Sequence, residues 1–182
     1  LFPEESEEIV YEIYSISEDD DAERIVHCQG SALPGSVSES HVLDIEALKS
    51  GCDQTILLSD KCYEMSKAVG IGYDPGRRGI EKVYAGSDQM LAKLSLPDLI
   101  TNTQDRFVLH PSLMDAALQA SGLMLTAVDM KPALPVALET LEIFAGCTQK
   151  MWAFVRKNGG GKVQTLDIDL CDETGKVCAR MK

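Results

Sequence analysis

One carboxylate, Asp115, lies in a segment that contains few other polar residues: LHPSLMDAALQA, residues 109–120. Pro111 suits the first turn of a helix, where its missing N–H costs nothing. Steps of about 100° per residue group the apolar side chains into two wide arcs of a helix over 111–125. The first arc holds Leu113, Ala116, Ala117, Ala120, Leu123 and Met124, and the second holds Met114, Leu118 and Leu125. Asp115 and Gln119, one turn apart, share a remaining narrow stripe, so the pattern predicts a buried helix that carries one acid.

The role of Asp115 has two interpretations, and the residue pattern leaves both open. A carboxylate in apolar surroundings is costly to ionise without partners, so it is either hydrogen-bonded in a structural role or poised for chemistry. An acid near a helix N-terminus also interacts favourably with the helix dipole, which favours the structural interpretation.

Two further side chains near this segment could take part in chemistry. His110 directly precedes the helix, where a histidine is a cap, a packing residue or a catalyst; its spacing to Asp115 does not place both on one face. Tyr73, in GYDPG (72–76), is either a turn aromatic or a hydroxyl donor into a pocket.

The elements that must position these residues follow from periodicity and turn signals. Strands 8–16 and 24–33 form a hairpin, and helices cover 43–51, 59–70 and 111–125. AGSD (85–88) is a tight turn between two strands, after which Met90, Ala92, Leu94 and Leu96 alternate toward a core; a polar loop follows over 98–106. Four strands are predicted over 134–144, 150–157, 162–171 and 175–181. The sequence therefore predicts an α+β fold in which an antiparallel sheet faces a central helix.

Composition narrows the class of protein. The net charge of -12 over 182 residues argues against a nucleic-acid partner, and no apolar run is long enough to predict a membrane span. The six cysteines are scattered without zinc-like spacing, which predicts reduced, mostly buried thiols in a cytoplasmic protein without a metal site.

Several motifs in order resemble the dehydratase domains of modular polyketide synthases. LHPSLMDAALQA is similar to the HPxLxDxxxQ motif of that family, and GIGYDPGRRGI (70–80) to its GxxYGPxFRGI stretch. SDQMLAKLSLP (87–97), LPVALETLEIF (134–144) and the closing strands from MWAFVRK onward resemble the strands of the same domains. The likeness covers essentially the whole chain.

The resemblance implies a double hot-dog fold, in which each half is a curved antiparallel sheet around a long helix. Residues 1–36 would be the last strands of the first half, 37–60 a linker and 61–182 the second half. By motif, Asp115 matches the catalytic Asp, and Gln119, Tyr73 and His110 are expected to bind substrate. The catalytic His motif, HxxxGxxxxP, is absent from this chain, so the chain would carry the Asp half of a His/Asp site.

The reaction implied is the elimination of water from a β-hydroxyacyl chain held on the phosphopantetheine arm of an acyl carrier protein. The enzyme would be a hydro-lyase that needs no metal or free cofactor, and the chain alone would be inactive. Its expected partners are the carrier protein, the first hot-dog half and other synthase domains; a homodimer is left open. An acidic carrier would need a basic patch, for which Arg77, Arg78 and Lys82, or Lys150, Arg156 and Lys157, are candidates.

Two departures from the family motif keep alternatives open. Asp74 and Arg77 stand where the family has Gly and Phe. The alternatives are a dehydratase-like double-bond isomerase and a non-catalytic module that binds carrier protein or organises the synthase.

Overall fold

The computed structural model describes residues 8–16, 24–34, 40–129, 132, 134–159 and 164–182. Contacts divide the chain into two compact units, Leu1–Val37 and Ser38–Lys182. The boundaries expected from the resemblance, 1–36, 37–60 and 61–182, remain a prediction. The range 37–60 contains α-helix Ile45–Gly51 and strand Thr55–Leu58 of the larger unit.

The smaller unit is an antiparallel hairpin of β1 (Ile9–Ser15) and β2 (Ile25–Ala32), which confirms the predicted strand pair. Its register runs from Ile9 opposite Ala32, with an irregularity between Ile13 and Tyr14. Every residue of β1 is exposed, including its apolar ones. No residue of these two strands is buried, and a two-stranded hairpin is marginal by itself in water.

In the larger unit the described residues form a seven-stranded antiparallel sheet and three α-helices. Its strands are β3 (Thr55–Leu58), β4 (Ile80–Ala85), β5 (Gln89–Ser95), β6 (Leu141–Ile143), β7 (Lys150–Asn158), β8 (Thr165–Asp172) and β9 (Val177–Met181). Their order across the sheet is β3-β4-β5-β7-β8-β9-β6. The helices are α1 (Ile45–Gly51), α2 (Ser59–Ala68) and α3 (Pro111–Asp129), and 3₁₀ helices cover Pro75–Arg77 and Asp98–Arg106.

Helix α3 packs on one face of the sheet, against β4, β5, β7 and β8. The whole predicted first arc is buried: Leu113, Ala116, Ala117, Ala120, Leu123 and Met124. The second-arc residues Met114, Leu118 and Leu125 are half-buried. The predicted buried helix is therefore confirmed, and an antiparallel sheet around one long helix is the hot-dog fold.

The opposite face of the sheet also carries a core, beside α1. This second cluster consists of Cys52, Leu91, Trp152, Phe154, Cys171 and Val177. The alternation predicted for β5 is correct for the side chains that face α3, but Leu91 between them is buried too. Central strands covered on both faces lose the strict apolar–polar alternation.

Three predicted elements need correction. Over 134–144 the structure has a strand only at Leu141–Ile143, which pairs with β9; before it, Glu139 and Thr140 bond only to the backbone of Lys182. The predicted loop 98–106 is a 3₁₀ helix in which the Thr101 hydroxyl donates to the Asp98 carbonyl at 3.1 Å. Strand β3 was not predicted; its four residues form a strand by pairing with β4.

Candidate active site

Asp115 is the fifth residue of α3 and is half-buried. Its Oδ2 accepts a hydrogen bond from Gln119 Nε2 at 3.1 Å, which joins the two side chains that the helical stripe predicts to be neighbours. Oδ1 has no hydrogen-bond partner among the described residues. One oxygen of the carboxylate is therefore held, and the other is available to a ligand.

Gln119 is 5% exposed, and all its polar atoms are bonded. Besides Asp115, its Nε2 donates to the carbonyl of Arg77 at 2.9 Å. Its Oε1 accepts from the hydroxyl of Tyr63 at 3.2 Å. A buried amide with both ends satisfied has one stable orientation, because reversing it would set donor against donor and acceptor against acceptor.

Tyr63 comes from α2 and is buried. Its oxygen accepts from the backbone N–H of Ile80 at 3.0 Å while its proton is donated to Gln119. Burial, the largest cause, raises the pKa of Tyr63 to about 12, so the phenol keeps its proton at neutral pH. No sequence pattern predicts this contact, since Tyr63 lies 56 residues from Gln119 along the chain.

Tyr73 is brought close to this network. Its ring meets the ring of Tyr63 edge-on, with centroids 5.9 Å apart. Burial raises the pKa of Tyr73, and the charge of Asp115 raises it further. The hydroxyl therefore remains a donor at neutral pH within electrostatic reach of Asp115, and it has no hydrogen-bond partner among the described residues. Its predicted role in substrate binding remains a prediction.

The segment after Tyr73 is fixed by its own bonds and by close packing. Arg78 Nε donates to the Tyr73 carbonyl at 3.0 Å, and its guanidinium lies 5.4 Å from the Tyr63 ring centroid. A Cβ on Gly79 would lie 2.9 Å from the Cβ of Ala116, so only glycine lets this segment approach α3 so closely. The side chains at the two departures from the family motif, Asp74 and Arg77, are exposed.

His110 serves the N-terminus of α3. Its Nδ1 accepts from the backbone N–H of Ser112 at 3.2 Å, and its Nε2 lies 2.9 Å from Thr103 Oγ1. Because the Thr103 hydroxyl donates to the Ile100 carbonyl at 2.6 Å, Nε2–H is the donor to Thr103. Burial lowers the pKa of His110, which favours this neutral form. Both ring nitrogens are engaged within the chain; the predicted contact with substrate is not tested.

Two features of the described residues concern ligands: their metal-binding side chains and a cavity beside α3. No cluster of three or more His, Cys, Asp or Glu side chains suited to a metal ion occurs in the described part of the chain. A cavity of about 490 Å³ runs beside α3 on the C-terminal side of Asp115, and neither Asp115 nor Gln119 lines it. It is lined chiefly by apolar side chains, including Leu118, Leu125, Leu134, Val136, Ile168 and Met181.

The fold, an antiparallel sheet around one long helix, is that of a hot-dog domain. A family model described as the polyketide synthase dehydratase N-terminal domain matches residues 40–182. The chain belongs to the polyketide synthase dehydratase family. Because the model is described as N-terminal, the placement of this chain in the C-terminal part of a dehydratase domain is not confirmed by it.

Relatives extend the likeness over the whole chain. Polyketide synthase PksN of Bacillus subtilis (strain 168) is 48% identical over 184 residues, which are 100% of this chain and 3% of that protein. A trans-AT polyketide synthase dehydratase domain from Brevibacillus brevis matches with a TM-score of 0.90 at 44% identity, covering 100% of this chain and 65% of that one.

The dehydratase domain from the CurK module of curacin polyketide synthase gives a TM-score of 0.83 at 28% identity, over 96% of this chain and 62% of that one. Two inactive mutants of the CurK dehydratase also have solved structures, one with an Asp changed to Asn and one with a His changed to Phe. The chain thus spans less than two thirds of these solved domains and a few per cent of the curated synthase.

Among the helices of the described residues, none is both long and apolar enough to span a membrane. All six cysteines are free thiols, and five of them are buried. This confirms the interpretation of the cysteines as mostly buried thiols.

Proposed function

We propose that this chain supplies the Asp half of a dehydratase active site, which eliminates water from a β-hydroxyacyl thioester carried by an acyl carrier protein. Asp115 acts at the β-hydroxyl, as general acid or by orienting it, and a His outside this chain removes the α-proton. Acid and base on opposite sides of one substrate are what such an elimination needs. The CurK dehydratase is inactive when an Asp is changed to Asn or a His to Phe, which supports a site that needs both residue types.

The observation that carries the proposal is that α3 does not use Asp115 as a cap. The first turn of α3 contains no acidic residue, and the N–H of Ser112 is bonded by His110 instead. Asp115 faces a side-chain amide, with one oxygen unoccupied among the described residues. This disfavours the structural interpretation, in which the acid would serve the helix terminus.

The cavity beside α3 supports an acyl substrate. Leu118 and Gly122 line it and follow Asp115 at three and seven residues along α3, on the same side of the helix. Gly122 is displaced from Asp115 by about 10 Å along the helix axis. A β-carbon placed at Asp115 would thus leave an apolar space for the distal part of an acyl chain.

The placement in the second half of a double hot-dog is part of the same proposal. The larger unit holds a sheet with its own central helix, whereas the hairpin of β1 and β2 has no core and exposes its apolar residues. A hairpin of this kind fits the end of another sheet. The remaining part of the solved domains, which this chain does not span, would contain that sheet and the catalytic His.

The test is Asp115→Asn in the complete dehydratase domain that contains this chain, with a carrier-bound β-hydroxyacyl substrate and mass spectrometry of the product. Asn keeps the shape of Asp115 but removes the titratable proton, so turnover should fall by about 10²–10⁴ while the melting temperature changes little. Loss of one water mass distinguishes dehydration from double-bond isomerisation, which leaves the mass unchanged.

The matched control is Asp105→Asn, the same change at an exposed carboxylate, which should leave turnover intact. The 182-residue chain by itself should give no product. If Asp115→Asn loses stability but keeps its rate per folded molecule, Asp115 is structural and the proposal is wrong.

Carrier docking is expected at the first of the two basic candidates. In the second, Arg156 Nη1 is bonded to the buried Asp169 at 2.7 Å, and Lys150 and Lys157 lie near opposite ends of β7. Arg77 is exposed, and its carbonyl is bonded to the site through Gln119. Arg77→Glu should weaken binding of an acidic carrier and flatten its salt dependence, whereas Lys150→Glu should not. If the two changes weaken carrier binding equally, or if neither does, the patch at Arg77 is not the docking site.

A further inference from the structure

A one-way series of hydrogen bonds reaches Asp115 from the backbone of β4. The N–H of Ile80 can only donate, so the oxygen of Tyr63 must accept from it. The single hydroxyl proton of Tyr63 then points to Gln119 Oε1. With its oxygen so fixed, the Gln119 amide directs its two N–H bonds to the Arg77 carbonyl and to Asp115 Oδ2.

The direction of this series matters because an amide side chain is nearly symmetric in shape. A reversed Gln119 would turn its oxygen toward the carboxylate and toward the Arg77 carbonyl, which repel it. The Arg77 carbonyl and Asp115 Oδ2 select the correct orientation from the nitrogen side, and the Tyr63 hydroxyl selects it from the oxygen side. Donors in one series also strengthen one another in a buried setting.

The ring of Tyr63 has little freedom to leave this position. It is buried at the contact between α2 and the start of β4, with the Tyr73 ring edge-on to it and the Arg78 guanidinium over its face. Arg78 is itself tied to the Tyr73 carbonyl. The Tyr63 hydroxyl is therefore held by the backbone N–H of Ile80 and by the side-chain amide of Gln119.

We propose that Tyr63 is a positioning residue of the dehydratase site: it orients the Gln119 amide and so holds Asp115 with one oxygen bonded and the other facing the substrate. Tyr63 acts through Gln119 and does not touch substrate. The inference rests on the proposed role of Asp115, and it goes beyond that role by assigning a residue on another helix to the same site.

The experiment compares Tyr63→Phe, Gln119→Ala and the double variant in the complete dehydratase domain. Tyr63→Phe should lower kcat about tenfold and leave KM within about twofold, because orientation of the acid affects the chemical step more than binding. The double variant should be no more than about twofold slower than Gln119→Ala alone, because both act on one element. A loss in the double variant equal to the product of the two single losses would overturn the proposal.

A spectroscopic readout separates this inference from the activity. With ¹⁵N-labelled glutamine, the side-chain amide signal of Gln119 should shift in Asp115→Asn and lose its distinct position in Tyr63→Phe. If Tyr63→Phe does not fold, the unsubstituted domain still shows the orientation of the Gln119 amide. Amide protons of Gln119 that lie against the Tyr63 ring instead of the Arg77 backbone would mean a reversed amide, and the inference would be wrong.

Tyr84→Phe is the matched control. Tyr84 also packs against an aromatic ring, that of Trp152 at 6.3 Å, but it belongs to the cluster on the opposite face of the sheet. The change should alter neither turnover nor the Gln119 signal. If Asp115→Asn keeps full turnover, the proposed function fails while the amide signal still tests the series. If Asp115→Asn is inactive and Tyr63→Phe changes neither kcat nor the signal, only the role of Tyr63 is refuted.

Discussion

Adding one methyl group at Gly79 should separate the start of β4 from α3, and the structure sets the scale of the effect. The new Cβ would lie 2.9 Å from the Cβ of Ala116 and 3.2 Å from the carbonyl oxygen of Ser95. Two carbons prefer a separation of about 3.5–4.0 Å, so a shift of more than half an ångström is required. Neither neighbour has a rotamer that could yield, because one is a methyl group and the other is backbone.

The backbone must therefore move, and we expect Gly79→Ala to cost about 1–3 kcal/mol of unfolding free energy. The cost is one of packing, because Gly79 does not have a positive φ. Ile80 follows directly in the chain, so the same movement should lengthen its 3.0 Å bond to Tyr63 and lower turnover per folded molecule. Urea denaturation of the 182-residue chain measures the first effect, and turnover of the complete domain measures the second.

A second substitution tests the stated cause. Ala116→Gly removes the nearest atom and costs about 1 kcal/mol by itself, as glycine does inside a helix. Combined with Gly79→Ala, it should recover part of the lost stability, with a favourable coupling of about 0.5–1.5 kcal/mol. Gly72→Ala is the control, because a Cβ there meets no atom within 4 Å. Strictly additive costs for Gly79→Ala and Ala116→Gly would refute the packing argument.

Two further predictions use the titrating groups. Burial lowers the pKa of His110 below its ordinary 6.5, so the unfolded chain protonates this histidine more readily than the folded chain does. The contribution of the neutral ring to the free energy of unfolding is therefore full above pH 6.5 and is lost as the pH falls below it. His110→Asn should flatten that decline in melting temperature, and an unchanged slope would contradict the assignment. Burial raises the pKa of Cys62 and of Cys147 to about 11, so both should react slowly with a thiol reagent under folding conditions, whereas the exposed Cys28 should react fast. Fast labelling of all six would mean that the sheet opens readily.

Helical periodicity predicted α3 well because the angular position of a residue around the helix axis determines whether its side chain is buried. The arc headed by Leu113 is wholly buried, and the stripe of Asp115 and Gln119 is bonded as the i and i+4 spacing suggests. Both the burial pattern and the i, i+4 contact depend on spacing within one helix, and this spacing can be read directly from the sequence. The prediction needed no knowledge of what packs against the helix.

Strands were predicted less well because a strand exists only with a partner. The run from Leu134 alternates as a strand should, yet Leu134 and Val136 are 70% and 86% exposed and lack ladder bonds. Thr55–Leu58 has a weak pattern and is nevertheless a strand, because β4 pairs with it. Pairing depends on residues distant in the chain, and nothing in the strand itself records it.

The same reason explains which part of the site the sequence could not show. Tyr63 and the Arg77 carbonyl meet Gln119 across 56 and 42 residues, and a carbonyl has no residue type by which to recognise it. Gly79 left only an indirect trace, as one glycine in GRRGI (76–80), and its need for close approach to Ala116 appears only in three dimensions.

These long-range contacts all reach Asp115 through its Oδ2, and the residues that make them all belong to this chain. Oδ2 is held through Gln119, whose own partners are backbone and a buried phenol, while Oδ1 and the Tyr73 hydroxyl have no partner among the described residues. An acid held in this way does not have to be reoriented when substrate and the catalytic His arrive. Preorganisation of this kind lowers the cost of reaching the transition state, since no dipole has to turn during the reaction. Under the proposed function, the His half would contribute the base and the opposite wall of the site, and the fold of this chain would already set the orientation of the acid.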